Sequence, residues 1–411
     1  MRGYDVVDRN GGLGSRMARR TAVMALLAGA AALGAVPSAA SAADWFISSS
    51  ITEEFEYSDN YKLDDTEKES LWGFNTRPKI GIETHTPRTD LFFNGSLNYG
   101  YFPENTDENS FDQKGDVALR HRTERSSFGL GGTVSHDTTR TSEELDTGRD
   151  FSDANRLGLG GSASYSHTLT ERVGVGIGAD AGYVTYDGGT LSDYRTYSAG
   201  PFVNFVLSEQ DSLQLTTTYS RYERLSGDNL ESDLFVGRAT WTRRLTEQFS
   251  GSLGGGANYI MTDEDVTVGG TTVTESENEI GYNASAGITY TEERGSLSAA
   301  FSHAVVPSGA GRLQRRNALN LRAAYRATPV VSFGLATNFI QQEAADEDSG
   351  EDRNFVGVEP SVSWQFLPEW TARAAYRFRT QTLDEGDRVY SNGGTVSVSW
   401  RLPSWGAGQG M

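Results

Sequence analysis

The chain has 411 residues, a formal net charge of -19, 37% hydrophobic residues and no cysteine. The missing cysteine excludes disulfides, thiolate metal sites and cysteine nucleophiles, and the acidic balance argues against nucleic acid as a partner. Past the first fifty residues no window approaches the ~18 apolar residues of a spanning helix, so a helical membrane protein is excluded.

Residues 17–42 read as an export signal. Arg19-Arg20 form a basic start, 21–36 an Ala/Leu-rich core, and Ala40-Ser41-Ala42 a small-residue cleavage site. Met17 is a candidate start, because residues 1–16 have no signal character. The twin arginines lack the pattern of a folded-protein export route, so secretion through the general (Sec) pathway is expected. Removing 1–42 takes away five arginines with Asp5 and Asp8, leaving a mature net charge of -22. The remaining chain, 43–411, is expected to form one domain.

From Asp44 onward the pattern alternates with period two. Leu91, Phe93, Leu97, Tyr99 and Tyr101 alternate with Asn94, Ser96, Asn98 and Gly100, and Val356, Val358, Val362 and Trp364 with Gly357, Glu359, Ser361 and Ser363. Such alternation gives strands with one apolar face and one small or polar face. About eighteen segments of roughly ten to fourteen residues are legible. They begin near 46, 71, 91, 111, 127, 155, 173, 195, 212, 234, 250, 280, 296, 316, 331, 355, 370 and 390. Every second connection is short, as at 85–90, 123–126 and 328–330. The others are long and acidic, as at 58–70, 137–153, 262–279 and 342–353.

Short turns at one end and long loops at the other predict an all-β fold: a transmembrane antiparallel up-and-down β-barrel of about eighteen strands. A soluble sandwich would have shorter strands and a polar outer face. Here the apolar face carries Trp72, Phe74, Tyr99, Tyr165, Tyr219, Trp241, Tyr290, Trp364, Trp370 and Trp400 near strand ends, as interface girdles require. An even strand count places both termini at the short-turn, periplasmic end. Closure then pairs the first strand with the last, around 390–402, with Trp400 or Trp405 as the terminal aromatic. Strand spacing and tilt give a diameter of roughly 36 Å, enough for an aqueous channel.

Local segments carry a family resemblance. Ser58-Asp59-Asn60, Arg77-Pro78 leading into Lys79-Ile80-Gly81-Ile82, Pro360-Ser361-Val362-Ser363-Trp364 and Ala374-Ala375-Tyr376-Arg377 make the chain resemble the outer-membrane β-barrel porins encoded beside exopolysaccharide gene clusters. The resemblance covers most of the mature chain and is one of layout and short motifs. It implies passage of a secreted polysaccharide across the outer membrane, in partnership with a periplasmic polysaccharide export protein, and brings no catalytic residues.

Alternation assigns a facing to each strand residue. Lumen-facing basic residues are expected at Arg77, Lys79, Lys114, Arg120, Arg122, Arg156, Arg238, Arg244, Arg316, Arg322, Arg326, Arg373, Arg377 and Arg379. Lumen-facing acids are expected at Glu54, Glu56, Glu83, Asp112, Asp116, Asp180 and Glu359. Asp112 and Asp116 could neutralise Lys114 and Arg120 locally, whereas the arginines at 316–326 and 373–379 have few counter-charges in view. Rings of arginine in a wet pore select anions, so an anionic cargo is expected. The excess acid is assigned to the outer loops, where lipopolysaccharide is the neighbour.

The five histidines show no metal-ligand spacing, and four of them (121, 136, 167, 303) fall on the apolar face. Ser166-His167 and Ser302-His303 put Ser and His on opposite faces, which forbids a nucleophile–base pair. No cofactor, metal site or enzyme activity is therefore expected. Polysaccharide passage leads, a general diffusion porin for small solutes is the alternative, and a barrel enzyme ranks below both. A porin-type constriction would come from loop 137–153 or 262–279.

Overall fold

The computed structural model describes residues 44–140, 142, 154–188, 191–268, 271–309, 311–344, 352–383, 386 and 388–407; the expected export signal lies outside them. The strands are β1 (Asp44–Ser58), β2 (Leu71–His85), β3 (Thr89–Tyr101), β4 (Ser110–Arg122), β5 (Ser126–Thr138) and β6 (Asn155–Thr170). Then come β7 (Val173–Asp187), β8 (Tyr194–Val206), β9 (Asp211–Arg224), β10 (Leu230–Arg244), β11 (Phe249–Val268) and β12 (Thr271–Thr291). The last are β13 (Gly295–Pro307), β14 (Leu313–Arg326), β15 (Val331–Ala344), β16 (Arg353–Leu367), β17 (Trp370–Leu383), β18 (Val389–Arg401) and the short β19 (Trp405–Ala407).

Each strand pairs antiparallel with the next, and β18 pairs back onto β1 from Ser50↔Arg401 to Ser58↔Gly393. Pro403 interrupts that last strand, since it has no N–H to donate. The chain then resumes as β19 against Trp45–Ile47, so β18 and β19 together form one barrel stave. The result is a closed, eighteen-stave, transmembrane up-and-down barrel with no free edge around most of its wall. Closure matters because an unsatisfied backbone group in hydrocarbon costs several kcal/mol.

Six of the eight short turns share a local cause. A Thr or Ser hydroxyl accepts the backbone N–H of the residue three positions on, at Thr86/Thr89 (2.8 Å), Thr123/Ser126 (3.0 Å), Thr170/Val173 (3.1 Å), Ser208/Asp211 (3.0 Å), Thr246/Phe249 (3.0 Å) and Thr328/Val331 (3.0 Å). The hydroxyl satisfies a donor that the turn would otherwise leave open. A hydroxyl residue at one spacing therefore caps six of the eight hairpins at this end of the barrel.

Strand parity sends Phe74, Tyr99, Phe128, Tyr165, Ile177, Leu253, Phe333, Trp364 and Trp400 outward, where their side chains are exposed. In water that surface would be untenable; against acyl chains it is the favourable one. The expected girdle aromatics lie on this face. Inward positions are mostly Gly, Ser, Thr, Asn and charged groups, so the wall itself encloses no hydrophobic core. The buried apolar clusters all sit at the long-loop end: Tyr61, Leu71 and Phe102; Leu63, Ile340 and Phe355; and Tyr222, Leu230, Ile260 and Leu313.

One difference from the sequence reading concerns the loops. The stretch 262–279 was expected to be a long loop and a candidate constriction. It is instead the upper part of the β11–β12 hairpin, paired from Thr262↔Glu277 to Val268↔Thr271. Its alternating Thr and Glu residues are compatible with an exposed strand ribbon, and the acidic composition concealed the period. The other candidate, 137–153, lies mostly outside the described residues.

Candidate functional site: a charged lumen narrowed at one end

The narrowing segment is 59–70, which connects β1 and β2. Leu63 packs on the inward Ile340 and Phe355, and Tyr61 on Leu71 and the fully buried Phe102. Arg379 Nη2 donates to the Tyr61 carbonyl (3.3 Å), Gln381 Nε2 to the Leu63 carbonyl (3.2 Å), and Asn60 Nδ2 to the Asp64 carbonyl (2.8 Å). Leu63 adopts φ 53°, a strained conformation for a non-glycine residue, held by this burial. The segment therefore lies inside the barrel and not above it.

Electrostatics fix the same segment. The Tyr61 hydroxyl donates to Glu108 Oε1 (2.7 Å); burial and that neighbouring carboxylate push its pKa up. Backbone N–H of Glu67, then the Thr66 hydroxyl and N–H, hold the Asp64 carboxyl below its usual range. The Lys62 ammonium, 2.9 Å away, does the same for Glu69.

Beneath this segment is a cavity of about 400 Å³ lined by Glu56, Arg77, Asn98, Arg140, Glu359, Arg377 and Arg379 among others. Its cations are held by acids or polar groups. Arg77 pairs with Glu54 (2.8 Å) and donates to Asn98 (3.0 Å). Arg140 reaches Glu56 (3.3 Å) and Glu108 (3.8 Å) and lies over the Phe102 ring. Glu359 bridges Arg373 (2.8 Å) and Arg377 (3.1 Å). Arg379 donates to Ser58 and Ser391. The expectation of few counter-charges for the β17 arginines is thus corrected: Glu359 stands across from Arg377 on the neighbouring strand and pairs with both Arg373 and Arg377.

The ladder registers place all the expected lumen residues on inward positions. Arg122 pairs with Asp90, Arg156 with Asp137 (3.8 Å), Arg238 with Ser285, and Arg316 is also engaged. By contrast Lys79, Lys114, Arg120, Arg244, Arg322 and Arg326 have no hydrogen-bond or ion-pair partner among the described residues. Asp112 and Asp116, which could neutralise Lys114 and Arg120, make no ion pair with them among the described residues. They accept from Asn98 (3.0 Å) and Asn94 (2.8 Å) instead, because asparagines directly opposite in β3 outcompete longer reaches.

Sequence reasoning passed over several inward groups. Arg401 shares the inward face of β18 with Ser397 and Ser399, and with Lys79, Lys114, Asp116 and Asn94 it lines a second cavity of about 500 Å³. Arg353 is buried against Phe355, and Arg224 pairs with Glu264 (3.0 Å). Asp90 and His85 (3.0 Å apart) lie at the short-turn mouth. Strand parity was sufficient to find Arg401 and Asp90; Arg140 follows the end of β5 and carries no period.

Most partnerless cations thus lie toward the short-turn end. Arg244, Arg326 and Arg401 are the last residues of their strands there, and Arg120 is two residues from the end of its own. A passing anion can contact them without displacing an internal carboxylate, whereas at the loop end it must compete with one. Near a wet wall such contacts are weak and screened by salt.

No family model matches the chain, and no curated protein matches it. Among solved structures it is similar to OccAB3 of Acinetobacter baumannii, at 8% identity and a TM-score of 0.45, covering 88% of this chain and 99% of that one. It is also similar to Pseudomonas aeruginosa OccK2 (OpdF), solved with glucuronate, at 11% identity and 0.43, covering 87% and 98%. A third is the ferric-catecholate import receptor Fiu of E. coli K12, at 9% and 0.45, covering 86% and 81%. At this identity the likeness says nothing about cargo.

Proposed function

We propose that this barrel is an outer-membrane channel, a non-enzymatic conduit, with its short turns in the periplasm and its long loops outside the cell. The cargo is an anionic polymer, an exopolysaccharide, delivered by a periplasmic polysaccharide export protein. The observation that carries the reading is the run of lumen-directed Lys79, Arg120, Arg322, Arg326 and Arg401, which make no ion pair among the described residues and are spread along several staves. On β14, Arg322 and Arg326 are four residues apart, about 14 Å at the usual rise per residue. Spaced weak sites hand a long polyanion onward without trapping it.

One observation favours the alternative, a diffusion porin for small anionic solutes. The loop-end cavity of about 400 Å³ suits a single small solute better than a polymer, so polymer passage requires segment 59–70 to move. Gene deletion separates the two readings. Loss of surface polysaccharide with unchanged solute uptake supports export. Unchanged polysaccharide with reduced uptake of small anions supports the porin.

A further inference from the structure

The β12–β13 seam of the barrel wall is open at its loop end. β12 pairs with β13 only from Thr291↔Ser296 to Ala284↔His303, although β12 runs on to Thr271 and β13 to Pro307. Ala304–Pro307 stay paired with β14, from Ala304↔Arg316 to Pro307↔Leu313, so the β13–β14 tip leaves the wall as a unit. On the exposed β12 side, Ile280 and Tyr282 are 80% and 63% exposed, and Ile280 stands opposite the girdle residue Tyr259.

The tip goes into the lumen. By parity Val305 and Leu313 would face the membrane. They pack instead with Tyr222, Leu230, Leu234, Ile260 and Tyr194, lumen-facing residues of β8–β11. The Ser192 N–H donates to the Gly309 carbonyl (2.8 Å) and the Tyr222 hydroxyl to the Ser308 carbonyl (3.4 Å). Gly311, at φ 88°, supplies the turn at a point where Ser192 and Arg224 leave little room for a side chain. The tip thus obstructs the mouth from the side opposite segment 59–70.

We infer that the β13–β14 tip is a two-position gate, with an inserted position that narrows the pore and a wall position in which Ala304–Pro307 zip onto the free edge of β12. The wall position has a register already. Continuing the ladder places Ala304 opposite Asn283, Val305 opposite Tyr282, Val306 opposite Gly281 and Pro307 opposite Ile280. Each pair then shares a face: Val305 and Tyr282 outward, Ala304 and Asn283 inward. Zipping satisfies backbone groups of β12 near the bilayer surface, and Pro307, lacking an N–H, ends it. Apolar burial in the lumen opposes it, so two exclusive sites compete for one segment.

A latch holds the inserted position. Glu279 of β12 pairs with Arg315 of β14 across the gap that β13 would fill, and Tyr282 stacks on His303 (4.3 Å, 17°), which is bonded to Asn317 (2.7 Å). Zipping must break the Glu279–Arg315 contact. The gate acts on any solute, so it stands or falls independently of the cargo.

The absence of native cysteine makes the test direct. Y282C/V305C and, on the inward face, N283C/A304C would cross-link the wall position; Y222C/L313C would hold the tip inserted. Each folded barrel, checked by heat-modifiable gel migration, is studied in planar bilayers before and after reduction. The expected result is disulfide formation in at least one wall pair, with conductance several-fold above that of the inserted lock, the difference vanishing on reduction. Glu279→Gln should raise the time spent in the high-conductance level. Failure of both wall pairs to cross-link in folded barrels, or equal conductance in the two locked states, overturns the gate.

Discussion

The two ends of the lumen carry the same residue types in different states. At the loop end, Arg77, Arg140, Arg377 and Arg379 are tied to Glu54, Glu56, Glu108, Glu359 and the Tyr61 carbonyl, beneath a segment folded inward. At the turn end, Arg120, Arg244, Arg326 and Arg401 point inward with no partner among the described residues. An arginine whose charge is matched by a carboxylate positions a loop; one without a match shapes the field in the pore. Counting lumen charges without pairing them would merge two roles.

The sharpest way to break this contrast is to neutralise one set at a time. Changing Lys79, Arg120, Arg322 and Arg326 to Gln should abolish anion preference in bilayer recordings. Changing Arg373, Arg377 and Glu359 together to Gln removes the whole ion-paired group for a net loss of a single positive charge, and should leave most of it intact. Equal losses from the two sets would erase the distinction.

A second effect is structural. Phe102→Ala removes a fully buried ring that supports Tyr61 and Arg140, at a cost of ~3–5 kcal/mol if the site does not collapse. Urea unfolding from vesicles measures the loss, and faster proteolysis within 59–70 should accompany it. Leu63→Ala should show the same signs more weakly, at ~2–3 kcal/mol, since it removes a smaller side chain from its contacts with Ile340 and Phe355.

The smallest effect is on pH. Asp64 and Glu69 have lowered pKa values in the folded segment, so its unfolded form binds more protons through the acidic carboxylate range. Their stabilisation is complete at neutral pH and is lost as pH falls through those lowered values. Protease protection of 59–70 should therefore decline only in acid, and Asp64→Asn should remove part of the decline.

The barrel itself was legible because period two is a local signal: each strand announces its faces, and all the expected inward cations lie on inward positions. The Thr-x-x turns were equally local and went unread. What sequence could not supply was pairing across strands. Glu359 serves Arg373 and Arg377 from another strand, and Asn94 and Asn98 intercept the acids assigned to Lys114 and Arg120. Loop placement was also hidden, because Leu63 gives no period and its pocket is built from Ile340 and Phe355, far along the chain.

The central claim is that partnerless lumen cations, not the acidic outer loops of a strongly negative chain, set the field in the pore. The reversal potential of the purified wild-type protein in a planar bilayer under a salt gradient reads this directly. The account predicts an anion-selective sign, shrinking as mean salt rises. A cation-selective sign would contradict it and assign control of the pore to the acidic loops.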